Sequence, residues 1–120
     1  MTPYAESPQS QEEPARSTLA HYLERAQELV PTAEEGESYG MKALRYRGRP
    51  LVSVIATKAG YSVYPFSPEV VELVISTLEG FESTKGGIRF TQEQLLPDEA
   101  FDTLVTARRD EIDSALDRAK

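Results

Sequence analysis

ESYGMKALRYRGRPLVSVIATKAGYSVYPF, residues 37–66, decides the fold. Three runs rich in β-branched and aromatic residues lie within it, separated by short turn signals. The spacing predicts strands over residues 37–47, 51–57 and 61–66. Gly48 and Pro50 mark the first turn, and Lys58, Ala59 and Gly60 make a tight second one. Connections this short between successive strands require antiparallel pairing. Gly40 and Lys42 leave room for a bulge in the first strand, which would reverse the side taken by the residues after it.

Helical signals lie on both sides of this meander. Leu19, Tyr22, Leu23, Ala26 and Val30 recur at spacings of three and four, with His21, Glu24, Arg25 and Glu28 on the opposite side. Ser17 or Thr18 can cap this first helix, which ends before Pro31. Residues 32–36 read as a short acidic connection. Ser67, Pro68 and Glu69 combine a capping hydroxyl, a proline at the first helical position and an acid at the positive dipole end. Val70, Val71, Leu73, Val74 and Leu78 supply that helix's apolar side, and Gly80 is expected to end it. Gly86 and Gly87 lead into a fourth strand at 88–91. A last helix starts near Asp98, with Phe101, Leu104, Val105, Ile112, Leu116 and Ala119 in one stripe.

The predicted order is α-β-β-β-α-β-α. The expected fold is a two-layer α+β sandwich, a mostly antiparallel sheet of about four strands with helices on one face. Residues 1–16 alternate proline with Ser, Gln and Glu around a single anchor, Tyr4, and read as a disordered tail. Residues 17–120 form one domain.

Charge is unevenly placed. Residues 38–91 hold seven bases and four acids, whereas the flanks carry eight acids each, against two bases before and four after. The chain as a whole is at −7 with a pI near 4.7. A basic centre between acidic flanks either meets an anion or pairs with the domain's own helices. The overall acidity argues against nucleic acid as a partner. The absence of cysteine excludes disulfides, zinc–thiolate sites and thiol catalysis. No apolar run reaches the length of a membrane span, and residues 1–10 lack the basic start and apolar run of a secretory signal, so the expected location is the cytoplasm.

Residues 34–52, 60–69, 83–90 and 95–105 together resemble the YdhG-like family, a bacterial domain of unknown function grouped with the YjbR/CyaY-like superfamily, to which frataxin-type folds are related. The distinctive steps are Tyr39-Gly40-Met41, Tyr64-Pro65 and Lys85-Gly86. The resemblance covers about residues 19–113 and implies a frataxin-like sandwich. Some members are described as intracellular iron chaperones. No catalytic residues come with it. Lys42 stands where members often carry proline, and Tyr61 where they often carry histidine. The second difference removes a metal ligand.

Two sets of residues are candidates for binding. Arg45 and Arg47, two apart on the first strand, are expected to share a side. With Tyr39, Tyr64, Lys85 and Arg89 they would make a basic, Tyr-rich sheet face suited to a carboxylate or phosphate, on a small molecule or an acidic partner segment. The alternative is that these arginines are solvated or paired with neighbouring acids. The second set is acidic: Glu24, Glu28, Glu34, Glu35 and Glu37. Under the resemblance these would be iron ligands, and iron is the one cofactor it admits. The plainer reading is a solvated face that keeps the protein soluble, within which Arg25 would repel a cation. Asp110, Asp113 and Asp117 make a further acidic stripe. A lone histidine and no thiol give no nucleophile–base pair, so an enzyme is not expected. The leading expectation is a non-enzymatic binding or carrier protein, with iron as the form the resemblance implies. An anion-binding interaction module is the alternative.

Overall fold

The computed structural model describes residues 15–38, 40–58, 60–84 and 86–118. Residues 1–14 of the expected tail lie outside them, whereas Ala15 and Arg16 already belong to the first helix. The elements are α1 (Ala15–Leu29), β1 (Glu34–Ser38), β2 (Met41–Tyr46), β3 (Arg49–Thr57), β4 (Gly60–Tyr64), α2 (Pro68–Ile75), β5 (Glu82–Ser83), β6 (Ile88–Phe90) and α3 (Asp98–Arg118). The strands form one six-stranded antiparallel sheet in the order β1-β2-β3-β4-β6-β5.

Six strands replace the expected four, for two local reasons. The acidic stretch at 32–36 is not a connection. Glu34–Ser38 pairs with β2 across a turn at Gly40, whose φ of +79° favours glycine. The second addition, β5, is two residues long and forms a hairpin with β6. Thr84 closes that loop: its N–H donates to the Gly87 carbonyl, and its Oγ1 accepts from the Gly87 N–H.

The second and third expected strands stand, but the first, over 37–47, is broken at Gly40 into the end of β1 and β2, and its irregularity is displaced. The bulge falls in β3 rather than near Gly40. Leu44 pairs with Val52 and Arg45 with Pro50, so Leu51 is the extra residue. Pro50 suits the interruption because it has no N–H to give a ladder. Its carbonyl accepts a 3.0 Å bond from Arg108 Nε of α3.

α1 and α3 cover one face of the sheet and pack on each other, while α2 packs on α3. Leu19, Tyr22 and Ala26 of α1 and Phe101, Leu104 and Val105 of α3 meet Val52, Val54, Val63 and Ile88 in the core. Tyr22 is its centre, 5.2 Å from the ring of Phe90 and 5.0 Å from that of Phe101. The Tyr22 hydroxyl donates to the Leu96 carbonyl at 2.6 Å. Burial, and then the charge of Asp98, push its pKa up to about 12.

Helix ends differ in part from the sequence reading. Ser67 caps α2, its Oγ accepting from Val70 N at 3.2 Å, with proline in the first turn. α2 then ends at Ile75 with Ser76 as its C-cap, short of Gly80. α1 begins before the expected caps. Thr18 therefore sits inside the helix, where its hydroxyl donates to Gln92 Oε1 at 3.0 Å. A polar seam joins α1 to α3. Arg25 binds Asp102 through two bonds of 2.6 and 2.8 Å, and His21 Nε2 lies 2.9 Å from Asp98 Oδ1.

Candidate functional site

Register assigns the strand residues of the predicted basic set to a face. Val54 pairs with Val63, Ala56 with Tyr61 and Tyr61 with Phe90, and these look toward the helices. Ser53 pairs with Tyr64 and Ser62 with Arg89, so Tyr64 and Arg89 stand on the opposite, open face. Arg45 also takes the open face, since its neighbour Leu44 is in the core. Its stem crosses Gly36, where an added Cβ would lie 3.0 Å from Arg45 Cδ. Its Nη2 donates to the Gly48 carbonyl at 2.6 Å, and its Nε is buried without a hydrogen-bond partner.

Arg47 does not share that side. Strand alternation stops at Tyr46, and Arg47 sits in the β2–β3 turn with a φ of +53°. The left-handed backbone carries its side chain to α3, where Nη1 is 2.8 Å from Asp113 and Nη2 is 3.3 Å from Asp117. The Tyr46 hydroxyl donates to the same Asp113 oxygen at 2.8 Å. Both bonds hold the Asp113 carboxyl below its ordinary pKa, Arg47 more than Tyr46. The stripe of aspartates on α3 therefore has a structural use: it anchors the hairpin.

Arg45 and Arg89 share a face but not a site. They stand three strands apart, roughly 14 Å across the sheet at about 4.8 Å per strand. Tyr39 and Lys85 lie outside the described residues. Of the predicted basic set, Tyr64 and Arg89 are brought together.

They line a cleft of about 560 Å³ at the β4–β6–β5 end of the sheet, with Lys58, Ser62, Thr84 and Glu82. Gly87 gives the cleft its shape. An added Cβ there would sit 2.6 Å from the Val63 carbonyl and 2.7 Å from the Tyr64 ring. Arg89 is held loosely. Its nearest carboxylate is Glu82 at 3.8 Å, and the two side chains are 60% and 81% exposed. Such a pair is screened and worth little. Lys58 was visible in the sequence only as one more base in a turn, and Ser62 and Thr84 carried no signal.

The acidic set is not gathered at one point. Because 34–38 is a strand, Glu34 points to one side and Glu35 and Glu37 to the other. Glu24 and Glu28 are exposed on α1. Among the described residues, no group of three or more His, Asp or Glu side chains is placed to hold a metal ion. Tyr61, the position without the expected histidine, has a packing role. It stacks on Phe90 at 5.3 Å and donates to Gln92 Oε1 at 2.6 Å.

Glu24 and Glu35 do share a second concavity, a groove of about 310 Å³ between α1 and the β1–β2 hairpin. Lys42 is at its rim, 3.9 Å from Glu35. The lining is apolar, with Ala20 and Leu23 from α1 above and Leu44 and Val54 from the sheet as the floor. Sequence reading placed the two acids in a cation site but did not see the floor, because it took 32–36 for a loop.

Among the described residues the architecture is thus a two-layer α+β sandwich, a helical layer of three helices against a six-stranded antiparallel sheet. A solved structure with this fold is YdhG of Bacillus subtilis, from the DUF1801 family. It superposes with a TM-score of 0.69 over 82% of this chain and 82% of that one, at 12% sequence identity. At that identity the likeness concerns the fold. No protein-family model matches the chain, and no curated protein matches it. Among the described residues, no helix is long and apolar enough to cross a membrane.

Proposed function

We propose that the domain is a non-enzymatic binding module that takes an acidic segment of a partner protein into the β4–β6 cleft. The observation that carries this reading is the pairing of Arg89 with Tyr64 on the open face, with Lys58 on the rim and one loosely held acid, Glu82, among the lining residues. A guanidinium so weakly engaged offers its planar fork of donors to a carboxylate. The tyrosine beside it adds a hydroxyl donor and a flat apolar surface. The lone histidine, held by Asp98, lines neither of the two concavities.

The test is a heteronuclear NMR titration of the full chain with a Glu/Asp-rich decapeptide, inorganic phosphate and citrate. The peptide is expected to shift Arg89, Tyr64 and Ser62, with affinity falling as salt rises. Arg89→Ala should weaken it by about tenfold, as expected for one charge-assisted contact. Tighter binding of phosphate or citrate than of peptide would make a small anion the ligand. An unchanged Arg89→Ala titration would end the reading. Kinship with frataxin-type proteins would make ferrous ion the cargo, so it is titrated in parallel. A saturable response at Glu24 and Glu28 would replace the acidic segment by iron.

A further inference from the structure

The groove under α1 is separate from that cleft, and its chemistry is the reverse. Leu23 projects from α1 toward Leu44 and Val54, which the sheet presents from below. Hydrogen-bond acceptors dominate the rim. The Glu24 side chain has no hydrogen bond or ion pair among the described residues, and it is exposed. Glu35 reaches Lys42 at 3.9 Å, a long contact between side chains 81% and 46% exposed. Gln27 spends its side-chain N–H groups on the Pro31 and Ala33 carbonyls, at 3.2 and 2.7 Å, which leaves its amide oxygen as another acceptor. An anion would face two carboxylates here. A wholly apolar ligand would strip water from them without return. A cation with an apolar body satisfies both parts of the groove.

We propose that this groove binds a small amphipathic amine, its hydrocarbon body on Leu23, Leu44 and Val54 and its ammonium toward Glu24 and Glu35. The volume, about 310 Å³, is at the small end of ligand pockets, which selects a small molecule over a helix or a strand. Displacing Lys42 from Glu35 costs little because that exposed pair is weak.

The experiment uses the full chain and phenethylamine, with phenylpropionate and phenylethanol as matched anionic and neutral probes. Proton–nitrogen correlation spectra should show saturable shifts confined to Ala20, Leu23, Gln27, Glu35 and Ala43. Phenylpropionate should bind at least about tenfold more weakly, the effect of reversing one partly desolvated charge. Glu24→Gln and Glu35→Gln should each weaken the amine severalfold while spectra elsewhere keep their positions, and raised salt should weaken it further. Leu23→Ser tests the body contact independently of charge and should also reduce binding. Equal affinity for phenylethanol, unchanged affinity in the Glu24→Gln/Glu35→Gln double variant, or preference for a basic peptide would each overturn the assignment. None of these residues lines the β4–β6 cleft, so failure here leaves the acidic-segment reading intact, and the reverse.

Discussion

Asp113 shows how one carboxylate can fix a hairpin. Its Oδ1 accepts from both Tyr46 and Arg47, and its pKa lies below the ordinary aspartate value in the folded protein. A depressed folded pKa adds stability above the unfolded pKa. That stability is lost as pH falls through the lower, folded value. The domain should therefore weaken as pH drops below about 4, the region where an unfolded aspartate takes up its proton. Asp113→Asn should be less stable than the parent at pH 7 and converge on it under acid, which urea midpoints across that range will check. Equal midpoints at neutral pH would show that the anchor is idle. Arg47 also marks a limit of sequence reading. Counting by twos placed it beside Arg45, but counting cannot see where a strand stops and a left-handed turn residue begins.

At the scale of elements, the β3–β4 turn is the tightest constraint. Gly60 has a φ of +146°, and a Cβ there would lie 2.5 Å from the Phe90 carbonyl of β6. Gly60→Ala should cost roughly 2–3 kcal/mol, from a strained dihedral and a backbone clash that no side-chain movement relieves. Calorimetry would detect the fall in Tm, and an unchanged Tm would mean that the turn relaxes. This turn, the capped start of α2 and the three-strand meander were all readable, because glycine, proline and serine act locally. β1 was not. Its EEGES has no apolar alternation, since neither face of an edge strand need be buried, and acids deplete strand statistics. With β1 unseen, the groove it builds with α1 was unseen too. Glu24 and Glu35 could be named, but not the apolar floor that gives them a use. The β4–β6 cleft was half visible: Tyr64 and Arg89 could be named, while Ser62 enters only through register and Lys58 through its place in the β3–β4 turn.

Across the whole molecule, charge is divided between internal use and display. Part of the basic centre turns inward, with Arg47 pairing to α3, while Arg89 stays outward on the open face. The acids of the flanks do likewise. Asp102 and Asp98 hold α1, while the β1 glutamates stand at a sheet edge. That edge is protected by like charge, and the opposite edge by the shortness of β5. Replacing Glu34, Glu35 and Glu37 together by threonine should expose a pairing strand, seen as concentration-dependent growth in light scattering. A monodisperse triple variant would show that the charges do not guard the edge.

Arg25 and Asp102 are 77 positions apart, as are His21 and Asp98, so the first helix is held by the last. During synthesis α1 can dock on β3 once the meander is made, but its polar partners on α3 come last. Until then the part of the sheet that α3 covers, and the sides of α1 and α2 that face α3, are without their cover. The nascent chain therefore carries that apolar surface until its last helix is made, and closure is completed late.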